Sequence, residues 1–152
     1  METLFNYFWL LAIAVNGINA AILWVRAQRY IKQNPELQPG YITMLRGFFL
    51  GMSVPWIVMG MGITTGGVSK IADYFYPRIG NRFVIAWWVS LWVLILLYSY
   101  WIWFRGGAEM LIKHPGFLKG NPSNPRTIKL MSLVSVVSSA VVAVIMFSLE
   151  PR

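Results

Sequence analysis

Four apolar runs divide the chain, and its charged residues collect between them. The runs cover about 4–25, 47–66, 83–104 and 130–149. A bilayer core of about 30 Å needs roughly 20 helical residues at 1.5 Å each, and every run meets that length. None carries Lys, Arg, Asp or Glu in its central portion. Helix is the form such runs take, because an open strand leaves its backbone groups unpaired in lipid. A membrane β-barrel needs more and shorter alternating segments than these. The pattern predicts an all-α integral membrane protein: one domain over residues 1–152, with four transmembrane helices in an up-and-down bundle.

Composition sharpens this picture. The chain is 57% hydrophobic and 12% charged, about half the charge of a soluble domain. Cysteine is absent, which excludes a disulfide framework, thiol catalysis and thiolate metal sites. The first basic residue is Arg26, after the first apolar run, so that run reads as a retained helix and not as a cleaved secretory signal. The net charge of +8 would suggest nucleic acid in a soluble protein. Here the cations sit at the ends of apolar runs, so topology and anionic lipid head groups account for them and nucleic acid is not expected.

The cations also predict an orientation. Arg26, Arg29, Lys32 and Arg46 lie in or beside segment 26–46, and Arg105, Lys113, Lys119, Arg126 and Lys129 in segment 105–129. That makes nine on one side, against Lys70, Arg78, Arg82 and Arg152 on the other. Positive charge stays inside, so both segments read as cytoplasmic loops and both termini as external, with a bacterial inner membrane as the default location. Trp87 and Trp88 near one end of the third run, and Tyr98, Tyr100, Trp101 and Trp103 near the other, read as two interfacial belts.

A short internal likeness links the exits of the first and third runs. Trp24-Val25-Arg26 leads to Ile31-Lys32-Gln33-Asn34-Pro35, and Trp103-Phe104-Arg105 leads to Ile112-Lys113-His114-Pro115. Two copies of one helical hairpin, related by an axis along the membrane normal, would give this pattern. Convergence on aromatic, basic and proline residues where a helix leaves the membrane would give it too.

Within the runs, polar and small residues mark the faces expected to meet other helices. Asn16 and Asn19 are three apart and share a face. Interhelical hydrogen bonding is the simpler reading, and polar lining of a pathway the sharper one. Gly47 and Gly51 allow close approach of another helix, and Pro55 follows them in a glycine-rich run. Ser132, Ser135, Ser138 and Ser139 form a small-residue stripe on the fourth run. Met52, Met59 and Met61 read as apolar filler and not as a copper site.

Between the runs, Arg105 and Glu109 are spaced to pair along a helical extension. His114, the single histidine, reads as a surface residue beside a proline. Val68 to Tyr76 reads as a short interfacial helix. Arg26, Arg29, Lys32, Arg105 and Lys113 are candidate contacts for anionic lipid or an acidic partner. The acids Glu2, Glu36, Asp73, Glu109 and Glu150 are scattered and form no catalytic motif. No cofactor or metal is called for. Two functional classes remain: a non-catalytic accessory or scaffold subunit of a larger membrane complex or homo-oligomer, and a small channel or transporter with its pathway between subunits. The missing deep ionisable residue weighs against a proton-driven pump.

Overall fold

A computed structural model describes residues 6–149. The expected start of the first span at Leu4 and the charges Glu2, Glu150 and Arg152 lie outside them. All regular structure among the described residues is helical: α1 (Phe8–Gln33), α2 (Gln38–Thr64), α3 (Arg82–Phe104), a short α4 (Gly107–Lys113) and α5 (Pro125–Ser148). Tight 3-10 turns occupy Pro35–Leu37, Ile71–Phe75 and Pro77–Ile79. α1, α2, α3 and α5 are long and apolar enough to cross a membrane, consistent with a multi-pass membrane protein.

Asparagines open three of these elements. Asn34, Asn81 and Asn124 each accept a hydrogen bond from the backbone N–H two residues on, at 3.3, 2.9 and 2.9 Å. This satisfies donors that a helix start leaves free. Pro125 at the first position of α5 has no such donor to satisfy.

The expected loop 26–46 is not a loop. α1 runs on to Gln33 and α2 begins at Gln38, so two helical extensions meet through one tight turn. Their apolar residues explain why: Ala27 and Ile31, then Leu37, Tyr41 and Met44, recur three or four apart and all are buried. Arg26, Arg29 and Lys32 stay exposed on the opposite faces. The other basic segment is built differently. α3 stops at Phe104, Gly106 takes a left-handed φ of 71°, and α4 sets off from there. That break also removes the expected Arg105–Glu109 pair, since the two residues no longer share a helix. Glu109 instead lies 3.9 Å from Lys129 of α5.

Each long helix packs chiefly on the next in sequence: α1 on α2, α2 on α3, α3 on α5. Among the described residues α1 makes no comparable contact with α3 or α5. The helices therefore stand in a row, and burial concentrates at its two ends. The first cluster joins Ala27 and Ile31 late in α1, Tyr41 and Met44 early in α2, Ala108 and Leu111 of α4, and Ile128 early in α5. The second joins Met59 late in α2, Val84, Trp87 and Trp88 early in α3, Ala143 late in α5, and Val68 and Tyr74 between α2 and α3.

That second cluster corrects two expectations. Trp87 and Trp88 are buried core residues, not a lipid-facing belt, because the segment between α2 and α3 folds back over them. The same segment is not one interfacial helix. Its Tyr74 is fully buried and donates its hydroxyl to the Met59 carbonyl at 3.0 Å, while Trp88 Nε1 donates to the Tyr74 carbonyl at 3.0 Å. Tyr100 and Trp103 near the other end of α3 are exposed, as a belt requires.

Burial pushes the Tyr74 phenol from its ordinary 10.0 up to about 12. The folded state then holds its proton more tightly than the unfolded one, so this contribution is intact below pH 10 and is lost as pH climbs through that window. Tyr74→Phe should lower stability by about 1 kcal/mol at neutral pH, the typical net worth of such a hydrogen bond. It should also flatten the alkaline limb of the pH–stability curve. Unfolding in detergent from pH 7 to 12 checks both; an unchanged curve would show that the buried hydroxyl does not hold this end together.

Candidate functional site

α2 is the element on which the others converge. It runs unbroken through Pro55, which has no N–H to offer the Gly51 carbonyl one turn back. Its glycines leave stretches of backbone without side-chain cover, and neighbours use them. Asn16 of α1 donates its amide to the Met52 carbonyl at 3.0 Å. Tyr98 of α3 donates its hydroxyl to the Gly47 carbonyl at 2.7 Å. With Tyr74 on Met59, three carbonyls of α2 each receive a donor from a different element.

The candidate residues separate on inspection of these contacts. Asn16 is buried, whereas Asn19 is exposed and makes no side-chain hydrogen bond among the described residues. A spacing of three turns a helix 300°, leaving the second amide about 60° off the first. The α1–α2 contact is narrower than that, so it takes one amide and leaves the other outside. α5 repeats the lesson. Ser132 is buried and bonds Ser99 of α3 at 3.2 Å, and Ser139 is half-buried against α3. Ser135, about 60° away, is exposed and turns its hydroxyl to its own backbone at Met131. Within the single chain the stripe is thus narrower than expected, and Ser135 lies outside the contact with α3.

The glycine pair also divides. A Cβ at Gly51 would sit 2.6 Å from the Tyr98 hydroxyl and 3.5 Å from Leu94, so Gly51 is a close contact with α3. A Cβ at Gly47 would meet nothing within 4 Å. Gly47 instead borders a groove of about 580 Å³ between α2 and α3, floored by Gly51 and Met52 and walled by Tyr98, Trp101 and Phe117. The groove is almost wholly apolar, and the Tyr98 hydroxyl inside it is already committed to Gly47.

Above the groove sits the first cluster, closed by a latch. Tyr41, nearly fully buried, donates its hydroxyl to the Pro115 carbonyl at 2.6 Å. The His114 ring stands edge-on to Tyr41 at 4.8 Å, and its Nδ1 lies 2.7 Å from the Met110 carbonyl. His114 is therefore buried, not a surface residue. The helical extension of α2 presents Gly40, and a Cβ there would run into the His114 ring. The periodicity 37, 41, 44 was the available signal that this extension is helical, and it did not point to His114.

The remaining candidates stay apart. Arg26, Arg29, Lys32, Arg105 and Lys113 are exposed around the first cluster. Met59 is buried, while Met52 and Met61 are exposed, so the three thioethers do not converge. No group of His, Cys, Asp or Glu suited to a metal occurs among the described residues. Compared with family models, characterised proteins and solved structures, the chain matches none. Its function must be read from its own geometry.

The three glycines should respond differently to an added side chain. Gly40→Ala should cost about 2 kcal/mol by overpacking the His114 latch. Gly51→Leu should cost at least as much by displacing Tyr98, and more than Leu94→Ala. Gly47→Ala should be neutral or slightly stabilising, because helix propensity improves and nothing is struck. Thermal unfolding of the three in one detergent checks the order; equal losses would refute the contacts assigned to each glycine.

Proposed function

We propose that the chain is a non-catalytic accessory or scaffold subunit, assembling with other membrane subunits or with itself, and that its four spans run up and down through a bacterial inner membrane. The single observation that carries this reading is Asn19. It lies near the middle of α1, faces outward and lacks a partner among the described residues. A side-chain amide in hydrocarbon is costly unless it finds a hydrogen bond. A neighbouring subunit supplies one.

Three other polar groups of the spans support the same reading. Asn16, Tyr98 and Ser132 are all engaged in joining helices. The row arrangement leaves the outer faces of α1 and α5 open to neighbours. The runner-up, a pathway between subunits, loses Asn16, whose amide is committed to Met52. In the proposed orientation the basic end faces the cytoplasm.

Gentle extraction and mass measurement of the native complex test the assembly. Stoichiometric foreign subunits or a homo-oligomer are expected, and Asn19→Leu should weaken the assembly while Asn16→Leu weakens the single chain. A monomer indifferent to Asn19→Leu would refute the proposal. A homo-oligomer with a central opening would favour the pathway reading. Sidedness has its own check, made simple by the absence of cysteine. A cysteine at Lys119 should be shielded from an impermeant reagent in intact cells and one at Lys70 labelled; the opposite pattern inverts the topology.

A further inference from the structure

The apolar groove between α2 and α3 has a length, a position and a charge environment that point to one kind of occupant. Along α3 its lining runs from Leu94 to Ile102, a rise of about 12 Å at 1.5 Å per residue. That is close to half of a hydrocarbon core of about 30 Å, the depth of one leaflet. Met110, Leu111, Phe117 and Leu118 complete the groove's wall at the basic end. Three exposed cations lie within two residues of lining positions: Arg46 beside Gly47, Lys113 after Leu111, and Lys119 after Leu118. Nine cations stand at this end of the molecule against two acids, Glu36 and Glu109, and Glu109 already faces Lys129.

From these observations we infer that the α2–α3 groove holds one acyl chain of an anionic phospholipid, with its head group held by Lys113, Lys119 and Arg46. An acyl chain gains little by leaving other acyl chains for an apolar wall, because there is no water to escape. Selectivity must come from the head group, and the cations supply it. Gly47 leaves the groove open at this level, since it lines the groove and a Cβ there would meet nothing within 4 Å. The smaller groove between α3 and α5, about 320 Å³, lies beside the second cluster, where Lys70, Arg78 and Arg82 are the cations among the described residues. It lacks the charge excess on which this inference rests. The site belongs to the single chain and does not depend on which subunits accompany it.

The protein purified in detergent is mixed with phosphatidylglycerol or with phosphatidylcholine of the same acyl chains, and bound lipid is read by native mass spectrometry. The expected result is one phosphatidylglycerol per chain, retained under activation that strips phosphatidylcholine. Gly47→Trp should abolish this retention without lowering the melting temperature. Lys113→Gln with Lys119→Gln, both on the surface, should weaken phosphatidylglycerol by about 25-fold, at roughly fivefold per cation, and leave phosphatidylcholine unchanged. Equal retention of the two lipids by the native protein would overturn the inference, as would undiminished retention by folded Gly47→Trp. If Gly47→Trp instead dissociates a lipid-free oligomer, the groove is a protein interface and the inference fails.

Discussion

A main-chain carbonyl has two lone pairs, and an α-helix uses only one of them. Along α2 the second lone pair is where neighbouring elements attach: Asn16 at Met52, Tyr98 at Gly47, Tyr74 at Met59. Lipid tails cannot compete for these acceptors, and hydrophobic burial gives no preference for protein over bilayer. Directional bonds to a sparsely covered backbone therefore fix which face of each helix turns inward. Glycine at 47, 51, 60 and 62 keeps that backbone within reach. Each neighbour takes a different level of α2, so none displaces another.

The two end clusters answer a different constraint. At the level of the head groups water is again available, and apolar side chains regain a reason to hide from it. Ala27, Ile31, Leu37, Tyr41 and Met44 form a small water-type core beyond the expected bounds of the first two spans. Val68, Tyr74 and Trp88 do the same at the opposite end. Between them the middle of the molecule is thinly buried, with Asn16, Ser53 and Ser132 among its few enclosed polar residues. One chain thus uses two kinds of adhesion, changing from one to the other along each helix.

Where the sequence was legible follows from the same division. The four spans were plain, because a bilayer demands long uncharged runs and little else produces them. The helical extensions were hidden by their own charges. Arg26, Arg29 and Lys32 read as loop, although Ala27 and Ile31 kept helical period beneath them. Spacing brought out Asn16, Gly51, Ser132 and Ser139 as contacts within the chain, while Asn19 and Ser135 fall outside those contacts, since one strip of helix surface holds residues up to 60° apart and the contacts inside the chain are narrower. His114 and Tyr41 were illegible in principle: their meeting joins positions more than 70 apart, and neither apolar runs nor local spacing carries that information.

The row arrangement has a consequence for how the molecule is made. Every principal interface joins consecutive spans, α1 with α2, α2 with α3, α3 with α5. Each helix entering the bilayer during synthesis finds its main partner already in place, and the contacts that wait are those of the end clusters, where Tyr41 meets Pro115 and Ile128 closes from α5. Topologies rich in such near-neighbour contacts assemble quickly and leave few half-finished species. α5 rests mainly on α3, so it docks on a body whose principal α1–α2 and α2–α3 interfaces are already formed.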